Sequence, residues 1–113
     1  MEIEQEKRGD VLVVRVLDNR LDAHCADEFR EEMAGYVANG DRSIVLNLSR
    51  VDFVDSSGLG AIVALFKMMG QGSRLAVCGT KDAVTRLFKL TRMNKVFDMF
   101  DTERQAVHAF AQS

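Results

Sequence analysis

Proline and tryptophan are absent from the 113-residue sequence, and cysteine occurs only twice. Cys25 and Cys78 form no CxxC pair and no zinc pattern, so neither a disulfide framework nor a structural metal is expected. With no signal peptide evident, a reducing, cytoplasmic setting is expected. The longest apolar stretch, residues 59–66, is interrupted by Gly60 and is far too short to span a bilayer. No linker, repeat or low-complexity segment breaks the chain, and its length fits one domain over residues 1–113. A strong excess of one charge is also missing. The formal net charge is -2 and the isoelectric point about 5.6, which argues against nucleic acid as a direct partner.

What is present is a globular composition, 47% hydrophobic and 28% charged, which excludes a disordered or fibrous chain. The charge is segregated. Residues 1–66 carry 7 basic and 13 acidic side chains, whereas residues 67–95 carry 7 basic and 1 acidic. The plain reading of Lys81, Arg86, Lys89 and Arg92 is the solvated side of one helix; a docking face for an acidic partner is the other.

Periodicity predicts alternating strands and helices, hence an α/β layer structure. Residues 11–17 are rich in valine and read as a buried strand. Residues 1–6 can add an edge strand before a turn at Arg8-Gly9-Asp10. Asp22 can cap a helix through about residue 38, with Ala26, Phe29, Met33, Tyr36 and Val37 as its stripe and Asn39-Gly40 as its stop. Strands are expected at residues 43–48, 51–54, 75–78 and 96–97. Further helices are expected at residues 57–69, from Thr80 or Lys81, and after Thr102, where Thr102 and Gln105 fit a capping box.

Enzyme signatures are also lacking. There is no Walker loop, Gly58-Leu59-Gly60 lacks the third glycine of a dinucleotide fingerprint, and neither Ser56 nor Ser57 has the upstream glycine of a nucleophile elbow. His24 and His108 could act as bases only if the fold carried one of them to a serine. Asp52 and Asp55, without histidine or further ligands, fit turn and capping roles better than a metal site. No catalytic residue, metal or cofactor is expected.

The distinctive element is Asp55-Ser56-Ser57-Gly58-Leu59-Gly60, where an extended segment turns into a helix. A serine hydroxyl there can cap the first turn. Gly58 and Gly60 weaken the helix but leave bare backbone that another molecule can approach. A phosphate on such a serine would sit at the positive end of the helix dipole. The helix that follows is apolar on nearly every side, so either both sides are buried or one is kept for a partner.

These residues, together with Asn47-Leu48-Ser49, Val51 and Phe53, resemble the signature of the anti-anti-sigma factors, also called anti-sigma factor antagonists, which are single STAS domains. The likeness extends along the chain through Leu21-Asp22, a strand near Cys78 and Val84-Thr85-Arg86-Leu87-Phe88. The resemblance implies a mixed sheet of four to five strands with about four helices against it. It also implies partner switching. The unmodified antagonist binds a serine kinase of histidine-kinase-like ATPase fold, the sigma factor held by that kinase is released, phosphorylation of the first serine ends the binding, and a serine phosphatase restores it. The first serine falls on Ser56, with Ser57 the alternative, and the partner-binding residues on Asp22, Asp55, Ser56, Ser57, Gly58, Leu59 and Gly60. Neither nucleic acid nor membrane is an implied partner. A STAS regulator of another effector, in a secretion, motility or transporter system, would carry the same motif. The chain departs from the family at Asn19-Arg20, where glycine and an acidic residue are usual; Asn19 can take a left-handed turn, and Arg20 reverses a charge near the implied docking face.

Overall fold

A computed structural model describes residues 1–111. Its frame is a five-stranded sheet in the order β1-β2-β4-β6-β7. β1 (Ile3–Arg8) and β2 (Val11–Val16) form an antiparallel hairpin through the turn at Gly9. β4 (Ser43–Asn47), β6 (Arg74–Cys78) and β7 (Asp98–Phe100) then add in parallel, each one position further across. The connections are α1 (Ala26–Ala38), α2 (Ser56–Met69) and α3 (Asp82–Leu90), and α4 (Glu103–Ala111) closes the chain. A second, two-stranded parallel sheet pairs β3 (Arg20–Leu21) with β5 (Phe53–Val54).

The strands alternate between two cores. Leu12, Val14, Ile44, Leu46, Leu75 and Val77 face α1, α2 and α3, whereas Val11, Val13, Val45, Ala76 and Cys78 face Ala106 and Phe110 of α4. This is the two-residue strand period with both faces covered, which is why Val11–Val14 of β2 and Ile44–Leu46 of β4 read as unbroken apolar runs. Because α2 connects the central strands, it lies in the middle of the three-helix layer. Both cysteines are free, and burial pushes the Cys78 thiol up to about 12.

Some boundaries differ from the sequence-based expectation. The first helix begins at Ala26 behind Cys25, not at Asp22, because residues 22–25 form a turn in which the Asp22 carbonyl accepts from Cys25 N and Ala26 N. Asn39 keeps a right-handed backbone and only Gly40 takes a positive φ after that helix. Asn19 likewise is not left-handed. The last strand is Asp98–Phe100 rather than residues 96–97: a 3-10 turn, Met93–Lys95, precedes it, and Phe97 is drawn into the core edge-on to Phe66 and Phe88. The capping box at α4 forms as its spacing predicts, with Gln105 N donating to Thr102 Oγ1 and Thr102 N to Gln105 Oε1.

Candidate functional site

The start of α2 is held by one carboxylate. Asp55 is the N-cap, in extended conformation, and its Oδ1 accepts from Gly58 N at 2.9 Å. Its Oδ2 accepts from Ala23 N at 3.1 Å, in the turn before α1. Asp55 thus ties together two loops distant in sequence. The expectation of a serine cap is corrected here: neither serine hydroxyl makes a hydrogen bond among the described residues, because the aspartate already satisfies the first turn. Ser56 is exposed at the first helical position and Ser57 is half-buried behind it.

The two glycines behave differently. A Cβ on Gly58 would lie 2.0 Å from the Leu21 carbonyl oxygen, so its missing side chain serves contact between α2 and β3 within the chain. The bare backbone at Gly58 is therefore buried inside the protein rather than offered to another molecule. Gly60 is half-exposed, and a Cβ there would meet only Arg30 Nη2, at 3.8 Å. Leu59 is buried, with Ile62 and Leu65, in the core under the helix. Most of α2 is thus covered within the chain. Its uncovered strip runs from Ser56 through Gly60 and Ala64 to Lys67 at helical spacing.

Asp22 is buried at 5% exposure. Its Oδ2 accepts from Arg20 Nε at 2.8 Å and its Oδ1 from His24 N at 3.0 Å. The Arg20 hydrogen bond holds the Asp22 carboxyl below the usual carboxylate range, outweighing its desolvation. Asp22 therefore shapes the loop beside Ser56 rather than presenting a free carboxylate. Arg20 also lies over the Phe53 ring, 4.8 Å from its centroid. Residue periodicity gave no sign of this Arg20–Phe53 pair, because it depends on the parallel register of β3 with β5. Lys81 and Asp52 form an ion pair nearby.

The same neighbourhood supplies no base for either serine. The His24 ring makes no hydrogen bond to Ser56 or Ser57, and His108 rides on α4, across the sheet from α2. No group of three or more metal-ligating side chains occurs among the described residues. No helix among them is long and apolar enough to cross a membrane.

A family model described as STAS domain matches residues 2–106. The anti-sigma F factor antagonist of Paenibacillus polymyxa is 36% identical over 109 residues, covering 95% of this chain and 92% of that protein. The anti-sigma-B factor antagonist of Staphylococcus aureus is 35% identical over 72 residues, covering 63% and 67% of the two chains. Among solved structures, an anti-sigma factor antagonist from Mycobacterium paratuberculosis superposes with a TM-score of 0.88 at 27% identity, covering 96% of this chain and 92% of its own. With the family model matched over residues 2–106 and a solved structure superposing on 96% of the chain, this protein belongs to the STAS domain family, alongside proteins named as anti-sigma factor antagonists.

Proposed function

We propose that this chain is an anti-sigma factor antagonist, active in the cytoplasm, whose unmodified form binds an anti-sigma factor serine kinase and so frees a sigma factor. In this reading the kinase phosphorylates Ser56 and a phosphatase resets it. The chain acts as a binding partner and substrate, not as a catalyst. The names of its relatives support the class of function. The observation that carries the switch is Ser56 itself: an exposed, uncommitted hydroxyl on a helix start that Asp55 holds rigid, beside the open Gly60. Ser57 is the less accessible of the pair.

Phosphate would add about 1.5 to 2 negative charges at pH 7. The helix dipole tolerates them there, so the fold survives. A partner closing over that surface would have to bury them next to Asp55. An unpaired buried charge costs several kcal/mol, and each 1.4 kcal/mol is tenfold in affinity, so the loss should reach two decades or more. The test is affinity capture with the wild-type chain and with Ser56→Asp, followed by phosphopeptide mapping after incubation with the captured kinase and ATP. The expected result is a kinase retained only by the unmodified chain, and phosphate on Ser56. Modification of Ser57 alone, or tight binding by the Ser56-phosphorylated form, would refute the mechanism. A captured kinase that holds no sigma factor would assign the chain to a different effector.

A further inference from the structure

α1 packs against α2, and a single cation reaches from one to the other near Ser56. Arg30 is the sole basic residue of α1, set among Asp27, Glu28, Glu31 and Glu32. The only basic residue of α2 is Lys67, about three turns beyond Ser56. Arg30 is exposed, and its guanidinium makes no hydrogen bond or ion pair among the described residues. Asp27 stands three positions before it, close enough for a helical ion pair, yet the side chain runs to α2 instead. Its Nη2 ends 3.8 Å from the place a Cβ on Gly60 would take. The other charged groups of this neighbourhood are committed. Asp22 holds Arg20, Lys81 is paired with Asp52, and Asp55 accepts from Gly58 N and Ala23 N. His24, in the turn before α1, is the remaining group there that can carry positive charge.

Ser56 and Gly60 are one helical turn apart, about 6 Å along the axis. A phosphoserine carries three acceptor oxygens outward from the backbone, and a guanidinium presents its donors in a planar fork that matches them. Rotation of one long side chain closes the gap between the two, and Gly60 leaves its path clear. We propose that Arg30 receives the phosphate of phosphorylated Ser56, and that the resulting pair lies across Gly60 and covers the strip of α2 that the plain form leaves open. The proposal rests on the phosphorylation of Ser56 inferred above and adds the group that holds the phosphate. It needs no movement of the backbone. Phosphate brings about 1.5 to 2 negative charges. Arg30 offsets one of them, and the remainder still faces a partner beside Asp55.

The experiment incorporates phosphoserine at position 56 of the full chain during translation, so that no kinase is needed, and compares wild type with Arg30→Ala, Arg30→Lys and His24→Ala. ³¹P NMR follows the second ionisation of the phosphate, which ordinarily falls near pH 6. With Arg30 present it should fall about half a pH unit lower than in Arg30→Ala, the size of effect an exposed ion pair gives. The difference should shrink in about 1 M salt. Arg30→Lys should lie between the two, since it keeps the charge and loses the fork. The ¹⁵N–¹H signal of Arg30 Nε should move downfield in the phosphorylated chain relative to the plain one. A purely structural role for Arg30 would move none of these readouts. Equal ionisation in wild type and Arg30→Ala, with an unmoved Nε signal, overturns the proposal, and so does a change that follows His24→Ala instead. Incubation of the plain chain with the captured kinase and ATP separates the two readings. Phosphate on Ser56 that is indifferent to Arg30 refutes this proposal alone, whereas phosphate on Ser57 alone overturns both.

Discussion

Gly58 and Gly60 differ in what a side chain would meet. At Gly58 even a methyl group would enter the Leu21 carbonyl oxygen. Gly58→Ala should therefore push α2 off β3 and lower unfolding free energy by about 3 kcal/mol, at the upper end of what overpacking costs; urea denaturation measures this. Gly60→Leu should change stability little, since only the flexible end of Arg30 is near, yet weaken kinase binding at least tenfold. Equal loss of stability in both variants would contradict this assignment. In the sequence both glycines look alike, two costly residues in one helix. The difference between them lies in a carbonyl from another segment, which no local pattern contains. Asp55 was easier to place. An aspartate before an apolar helical run has the form of a cap, although two serines next to it compete for that role on sequence alone.

Besides the apolar packing of Ala106 and Phe110, α4 is tied to the sheet by a polar contact. Glu103 accepts from Arg15 Nε and Nη2 of β2, both at 2.8 Å, and from Asn47 Nδ2 of β4 at 2.9 Å. The Arg15 guanidinium holds the Glu103 carboxyl below the usual carboxylate range despite partial burial. A lowered folded value stabilises the protein above the ordinary glutamate pKa of about 4.3, and that stability is lost as pH falls through the folded value. Glu103→Ala should thus cost about 1 to 3 kcal/mol at pH 7, and thermal melts from pH 7 to pH 3 should show a shallower acid decline than wild type. The helix itself was legible from Thr102 and Gln105, whose capping needs only local spacing. Its ion pair was not, because Arg15 meets Glu103 only after the sheet forms. The misplaced last strand has a similar origin. Val96-Phe97 has strand composition, but Phe97 is used in the three-helix layer between Phe66 and Phe88, so pairing with β6 starts only at Asp98.

For the whole molecule, the α/β layer class could be read from alternating apolar segments, and the charge segregation from counting. Neither showed that acidic α1 and basic α3 flank one helix. Ser56→Asp, which adds charge at an exposed position, should leave the thermal midpoint within a few degrees of wild type while capture of the kinase is lost. A large drop in midpoint would mean that the substitution acts by unfolding. The double grip of Asp55 has a further consequence. Its two oxygens accept at once from the first turn of α2 and from the turn before α1, an arrangement that should hold the two halves of the surface together before any partner arrives. Little entropy is left to lose on association, and the free and bound shapes should nearly coincide. Signalling would then work as a written mark on a fixed page: the phosphorylated and plain forms share one backbone, and whatever erases the mark has to recognise the phosphate rather than a changed fold.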